Sequence, residues 1–198
     1  LAELHPFRNH PFKVLDDEKM ADTAQSIREH GVLVPAIVRP REEGGYEIVA
    51  GHRRHFASQI AGLDTMPAIV RDLDDDAATI IMVDSNLQRE SILPSERAWA
   101  YRMKLEAVRR KAGRPSKENA GQLDPDFDNR CSNVIVAEQA GESVKQLQRF
   151  IRLTELIPPL LDMVDERKIA FNPAVELSYL KPEEQVELLD AMDSEQAT

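Results

Sequence analysis

The sequence predicts an α+β fold class, in which a small mixed sheet with helices precedes an all-α half. Short β-like apolar runs occur only before residue 72, whereas the apolar patterns beyond residue 90 all have a helical period. A stretch rich in Gly, Pro, Asn and Asp interrupts the helical half. We therefore expect a first domain, a basic connecting helix, a linker or mobile loop, and a second helical domain, at residues 1–90, 91–112, 113–131 and 132–198.

The first half alternates helical and β-like patterns. Residues 17–30 predict an amphipathic helix with Met20, Ala24 and Ile27 on one face, which Gly31 ends. A strand follows at 34–39, and the Gly44-Gly45 turn leads into a return strand at 46–50. The remaining elements are a helix at 54–61, a strand at 66–71 and a helix at 74–87.

The second half predicts helices only. A long helix begins at Leu93-Pro94-Ser95-Glu96 and continues to about residue 111. A short helix at 134–140, a turn at Gly141 and a helix at 143–153 form a helix-turn-helix pattern. Two further helices are expected at 155–168 and 173–193.

Composition and charge limit the classes of function. The 198 residues include 42% hydrophobic and 30% charged residues, and the single cysteine, Cys131, excludes an internal disulfide. No apolar run is long enough to cross a membrane, which predicts a cytoplasmic protein without membrane association. The net charge of −10 is unevenly distributed, because residues 97–117 carry eight Lys or Arg and one acid. This basic segment is compatible with a nucleic-acid partner.

Gly51-His52-Arg53-Arg54 is a candidate phosphate site. A β-like run ends at the glycine, and two arginines follow in the first turn of a predicted helix. Backbone N–H groups at a helix N-terminus attract anions, and guanidinium groups match phosphate oxygens. The alternative is a solvated, capped helix end without a ligand.

The helix after Gly141 is a candidate DNA-recognition helix. Val144, Leu147 and Ile151 fall on one face and are expected to pack inward. The opposite face then carries side chains that reach base edges and phosphates in a major groove, namely Ser143, Lys145, Gln146, Arg149 and Arg152. A plain antiparallel helix pair is the alternative interpretation.

Three blocks in order give the chain a resemblance to a known family. The first block is Ser26-Ile27, Gly31, Pro35, Val38 and Arg39. The second is Gly51-His52-Arg53-Arg54, Ala57 and Ala61-Gly62-Leu63. The third is Asn86-Leu87-Gln88-Arg89, Leu93-Pro94, Glu96 and Ala98. With the helix-turn-helix after them, these blocks resemble the ParB family of chromosome and plasmid partition proteins from about Pro6 to about Leu180.

The resemblance implies a ParB/sulfiredoxin-like N-terminal domain that binds CTP with Mg²⁺, and a helix-turn-helix domain that binds a palindromic double-stranded DNA site as a homodimer. It also implies a ParA-type ATPase partner, a nucleotide-dependent sliding clamp, and a nucleoid- or plasmid-associated location. By position, the residues near the base and ribose are Gly31, Pro35, Val38 and Arg39. The phosphates would be held by Gly51, His52, Arg53 and Arg54. The phosphates and metal would lie near Asn86 and Arg89, with Asn86 as the magnesium ligand. The alternative for Arg89 is a structural ion-pair partner.

Two departures from the family pattern concern turnover. His52 stands where the family has a glutamate tied to hydrolysis, and Ser85 stands where it has a glutamate tied to magnesium. Magnesium prefers carboxylate oxygens, which neither residue supplies. We therefore expect at most weak CTP hydrolysis, with His52 acting as a base near neutral pH or serving as a surface or capping residue.

Three other functions stay open at this point. One is a transcriptional regulator of a plasmid or mobile element on the same fold, without nucleotide turnover. A second is an enzyme related to sulfiredoxins or to small-molecule kinases, although the phosphate block contains neither a cysteine nor a carboxylate. The third is a structural adaptor that binds only protein.

Overall fold

The computed structural model describes residues 1–14, 16–89, 91–112 and 125–196. The chain divides into two compact units, Leu1–Gln88 and Arg89–Thr198. The first combines a sheet with helices, and the second is helical throughout its described residues.

The first unit is built on a four-stranded mixed sheet in the order β1-β3-β2-β4. Its strands are β1 (Leu4–His5), β2 (Ala36–Pro40), β3 (Tyr46–Ala50) and β4 (Ala68–Val70). The central β2–β3 pair is antiparallel, whereas β1 pairs with β3 and β4 pairs with β2 in parallel. The hairpin is the one expected from Gly44-Gly45, and both glycines have positive φ angles.

Three helices complete this unit, α1 (Glu18–His30), α2 (His52–Ile60) and α3 (Asp75–Leu87). The predicted stripe of Met20, Ala24 and Ile27 is buried and packs with Ala57 of α2. Asp17 caps α1 by accepting the Met20 N–H at 2.9 Å, and Gly31 ends it at φ 72°. The two helices lie side by side, because Asp17 at the start of α1 is 3.8 Å from Arg53, and Arg28 near its end donates to the carbonyl of Ile60 at 3.0 Å.

The second unit contains six α-helices within its described residues, α4 (Pro94–Ala112), α5 (Pro125–Ala140), α6 (Val144–Arg152), α7 (Pro158–Asp165), α8 (Phe171–Leu177) and α9 (Pro182–Gln196). A 3₁₀ turn, Leu153–Glu155, follows α6. Helix α4 is the central element, since it packs against α5, α6 and α7 and buries Tyr101 and Leu105. The segment expected to be a basic connecting helix therefore forms part of the core of this unit.

The structure differs from the sequence expectations at four places. Strand β1 has only two residues and lacks a periodic pattern, so it was not predicted. Helix α5 begins at Pro125, inside the expected linker 113–131, of which 113–124 lie outside the described residues. The helix expected at 173–193 is two helices, α8 and α9, separated at residues 178–181. In α6, Leu147 and Phe150 are buried, whereas Val144 and Ile151 are half-buried.

Candidate nucleotide and nucleic-acid sites

A cavity of about 410 Å³ in the first unit lies where α1 ends and α2 begins. Its lining consists of α1 side chains, the loop after α1, and one arginine of α2, namely Asp22, Thr23, Ser26, Ile27, residues 31–34 and Arg54. Leu33 and Val34 are 80% and 62% exposed at this loop. The cavity thus combines polar side chains, exposed apolar side chains and a guanidinium group.

Gly51 brings the start of α2 close to the sheet. Its φ angle is 111°, and a Cβ atom there would lie 3.1 Å from Cβ of Ala36 on β2. No side chain caps α2, so the first-turn N–H groups retain their capacity to bind an anion. Arg53 and Arg54 both lie in this first turn, as expected from the sequence.

Arg54 connects α2 with the loop that lines the cavity. Its Nη1 atom donates to the carbonyl oxygens of Val34 and of Pro35, the latter at 2.8 Å. Burial lowers the pKa of Arg54, although a guanidinium group stays protonated at neutral pH. Arg53 is more peripheral, with a guanidinium nitrogen 3.8 Å from Asp17.

His52 points into the first unit. It is buried, and its Nε2 accepts the backbone N–H of Phe7 at 3.2 Å. Its ring also lies against that of His10, with centroids 3.9 Å apart. The alternative of a surface histidine is therefore wrong, and the hydrogen bond requires an unprotonated Nε2.

Arg39 lies at the centre of an internal ion-pair network. Its guanidinium group bonds to Glu47 at 2.6 Å and to Asp75 at 2.7 Å, which links β2, β3 and α3. Burial lowers the pKa of Arg39, but the hydrogen bonds to Asp75 and Glu47 outweigh it, so the net change is upward. The expected contact of Arg39 with a nucleotide competes with these partners.

The other residues of the first block have backbone or core roles. Val38 is buried among Ala36 and Ile48 in the core of the sheet. Pro35 offers its carbonyl oxygen to Arg54, and Gly31 ends α1 and lines the cavity. Sequence reasoning did not single out Asp22 and Thr23, although they lie on the polar side of a helix whose apolar stripe was recognised.

The third block falls at the boundary between the units. Asn86 is buried in α3, and its amide donates to the carbonyl of Met82 at 2.8 Å. Arg89 is the first residue of the second unit. Within the described ranges, no three His, Cys, Asp or Glu side chains form a group that could hold a metal ion.

Helices α5 and α6 form the expected helix-turn-helix in the second unit. Gly141 makes the turn with a φ angle of 68°. Ser143 caps α6, since its hydroxyl accepts the N–H of Gln146 at 3.1 Å. Buried Leu147 and Phe150 fix the orientation of α6, and the Phe150 ring contacts those of Tyr101 and Phe171.

The predicted DNA-contacting side chains divide into two groups. Lys145 is exposed, and Gln146 lies beside Arg149 at 3.5 Å. Arg149 donates to Asn172 at 2.5 Å, and Arg152 donates to the carbonyl of Ser178 at 2.7 Å. Arg149 therefore contacts α8, and Arg152 contacts the residue that follows α8. A DNA contact by either arginine would come on top of these internal hydrogen bonds. Sequence reasoning missed Gln148, an exposed residue one turn after Lys145.

Several basic residues of α4 are also engaged within the second unit. Arg102 pairs with Glu155 at 2.9 Å and Arg97 with Glu142 at 3.6 Å. Lys104 is fully buried. The charge available to a duplex is thus smaller than the sequence count implies.

Comparison with known proteins agrees with both halves of this architecture. Residues 1–87 match the ParB N-terminal domain. Over 186 residues the chain is 34% identical to the chromosome-partitioning protein Spo0J of Thermus thermophilus, covering 94% of this chain and 61% of that protein. The first unit belongs to the ParB N-terminal domain family. The helical unit after it lies in the part of the chain that is similar to a chromosome-partitioning protein.

Two further matches cover most of the chain. The nucleoid occlusion protein of Halalkalibacterium halodurans is 32% identical over 181 residues, which is 91% of this chain and 56% of that protein. A C-terminally truncated ParB from Caulobacter crescentus, solved in complex with the centromeric parS site, is 26% identical. It aligns with a TM-score of 0.55 over 90% of this chain and 82% of the solved one.

The chain spans 61% of the length of the Thermus thermophilus protein and 56% of the length of the Halalkalibacterium halodurans protein. None of the helices in the described ranges is long and apolar enough to cross a membrane.

Proposed function

We propose that this chain is a DNA-binding partition protein that recognises a palindromic, parS-like site through α5 and α6. The observation that carries the proposal is the likeness to a parS-bound ParB over 90% of the chain, together with the helix-turn-helix that α5 and α6 form. Lys145 and Gln146 on α6 would contact base edges or phosphates, together with Ser143, Arg149 and Arg152. A palindromic site requires two copies, so the DNA-bound form would be a homodimer.

The first unit would bind CTP in the cavity beside Arg54. The fit rests on a cavity of about 410 Å³ that adjoins the uncapped N-terminus of α2, where Gly51 leaves room and two arginines follow. The triphosphate would lie at α2 against Arg53 and Arg54, and the nucleoside near Gly31 and Pro35. Bound nucleotide would shift the first units of the two copies from an open to a closed pairing, which forms the sliding clamp around DNA.

Magnesium would be held mainly by the nucleotide. Magnesium usually keeps several waters and is bound through substrate phosphates with one or two protein ligands. Asn86 is the ligand expected from the sequence, and its Oδ1 atom would bind the ion while its amide nitrogen donates to the carbonyl of Met82. Because His52 is buried and its Nε2 is occupied by Phe7, we propose that nucleotide turnover is weak or absent.

Duplex binding tests the DNA part of the proposal. Fluorescence anisotropy with a parS duplex and a scrambled duplex of the same composition is expected to give tighter binding to parS. Lys145→Ala should reduce that preference, whereas Lys168→Ala, which removes an exposed lysine paired with Glu166, should not. Equal affinity for both duplexes would contradict the assignment.

Calorimetric titration tests the nucleotide part. CTP, UTP, ATP and GTP, each with magnesium and with or without the duplex, should show selective binding of CTP. If the chain binds DNA but none of the four nucleotides, the nucleotide part of the proposal is wrong. The chain would then be a DNA-binding protein without a nucleotide-dependent clamp.

A nucleoid occlusion role is the second candidate, because a relative of that name matches the chain at nearly the same identity as the partition protein. Retention of a plasmid carrying the bound site, measured with and without a ParA-type ATPase, separates the two roles. Improved retention that needs the ATPase favours partition in the cytoplasm at the nucleoid or plasmid. Unchanged retention favours nucleoid occlusion or a transcriptional role.

A further inference from the structure

A second pocket, of about 220 Å³, lies in the second unit among α4, α5, α6 and the 3₁₀ turn. Its polar lining comes from Arg109, Asn133, Gln148, Arg152 and Glu155. Of these five, the DNA assignment above uses only Arg152. The pocket therefore poses a separate question about what it binds.

Arg109 provides the sharpest observation. Its Nε atom is buried and has no hydrogen-bond partner within the described residues. Its only described hydrogen bond, from Nη2 to Oδ1 of Asn133, is long at 3.4 Å. Buried donors in proteins almost always have an acceptor, and a charged donor without one is costly. The Nε–H group of Arg109 thus lacks an acceptor among the described residues.

The charged groups of the pocket indicate whether the missing acceptor belongs to an anion or to a neutral ligand. Arg152 uses Nε and Nη2 on Ser178, which leaves Nη1 without a hydrogen bond among the described residues. The carboxylate of Glu155 accepts from Arg102 at 2.9 Å, so its partner is an arginine that does not line the pocket. Two guanidinium groups and the Gln148 amide therefore offer donors to an oxyanion.

We propose that this pocket binds one phosphate group, held by Arg109 and Arg152 with Gln148 at its exposed edge. Arginine suits this ligand because its planar fork of N–H donors matches phosphate oxygens. The group belongs either to the DNA backbone or to a free phosphate anion. The DNA source rests on the proposed function, whereas the free anion does not.

Titration of the unaltered chain tests the pocket without any substitution. The probe is sodium phosphate against sodium chloride at equal ionic strength, read from the Arg109 Nε–H resonance of the ¹⁵N-labelled protein. A shift that saturates with phosphate, or on addition of duplex, supports the proposal. A resonance that responds to neither overturns it.

The salt dependence of duplex binding identifies the source. If the phosphate belongs to DNA, Arg109→Gln should lower the slope of log K against log salt by about one. Lys168→Gln removes one charge from the same unit and should leave the slope unchanged. An unchanged slope in Arg109→Gln, with saturation by free phosphate, assigns the site to a free anion.

Equal slope losses in the Arg109 and Lys168 variants would overturn the DNA source. If Arg109→Gln does not fold, Gln148→Ala at the exposed edge takes its place in the same measurement. Complete absence of DNA binding would contradict the proposed function but leave the phosphate titration able to decide on the pocket.

Discussion

Individual arginines in this chain have distinct partners despite their shared chemistry. Arg54 donates to two carbonyl groups of the cavity loop, and burial lowers its pKa. Arg39 is held by two carboxylates, which raise its pKa. A carboxylate-paired guanidinium must exchange partners to bind phosphate, whereas a carbonyl-bonded one retains its net charge for the ligand.

Arg54→Ala should therefore weaken nucleotide binding by about tenfold to a hundredfold, because charge-assisted hydrogen bonds are lost. Calorimetry with CTP measures the change. Arg41→Ala is the control, since Arg41 is paired with Glu43 at the hairpin turn. The affinity of Arg54→Ala for the duplex, measured without nucleotide, should equal that of the unaltered chain. A lower affinity would indicate that Arg54 binds DNA and not the nucleotide.

His55 should make the stability of the chain sensitive to acid. Burial lowers its pKa in the folded state below the ordinary value of 6.5. The unfolded chain then binds a proton at His55 more readily than the folded chain does. The free energy of unfolding therefore carries no penalty from His55 above pH 6.5, and it decreases as the pH falls below that value. His55→Gln should flatten urea-unfolding free energies between pH 7 and pH 5, and slopes parallel to the parent chain would contradict this origin.

At the scale of elements, two helices present their N-termini in different ways. Helix α2 begins at a glycine without a side-chain cap, whereas α6 begins at Ser143, whose hydroxyl caps it. An uncapped end keeps its N–H groups for a ligand, and a capped end is already satisfied. This contrast favours phosphate binding by α2 and surface contacts by the sides of α6.

Gly51→Ala and Gly62→Ala test the close approach at α2. Both glycines have positive φ angles, so alanine should cost about 1–2 kcal/mol at either position. Only at Gly51 would the new Cβ meet another residue, Ala36, at 3.1 Å. Chemical denaturation should thus show a larger loss for Gly51→Ala, and equal losses would indicate that the sheet yields to the methyl group.

Substitutions of Ser143 separate capping from DNA contact. Ser143→Ala should destabilise the chain by about 1 kcal/mol through loss of the cap. Ser143→Asp should retain the cap but weaken duplex binding, because it adds a negative charge near the phosphates. Thermal unfolding and anisotropy measure the two effects. Tight duplex binding by Ser143→Asp would exclude this residue from the DNA contact.

For the whole molecule, the net charge of −10 conceals the segregation of charge along the chain. Residues 154–198 contain eleven acids and three bases, opposite in balance to the basic segment before them. A duplex responds to the local basic surface, since exposed charges more than a Debye length away are largely screened.

Duplex affinity should accordingly fall at least about tenfold between 50 and 200 mM salt despite the acidic average. Anisotropy titrations across that range measure it. CTP affinity, measured over the same range, serves as the comparison, because its phosphates bind at one enclosed corner. A duplex affinity independent of salt would contradict a phosphate-based interface.

The sequence by itself determined the elements whose cause is local. These include the helix–turn–helix around Gly141, the hairpin at Gly44-Gly45, the buried stripe of α1, and the combination of blocks that indicates the ParB family. Only the tertiary structure decided which polar side chains are already engaged. Arg39, His52 and Arg149 are bonded to partners 8 to 45 residues away in the chain, through contacts that no local period encodes. The same reason hid the Arg109 pocket, which exists only after three helices pack together.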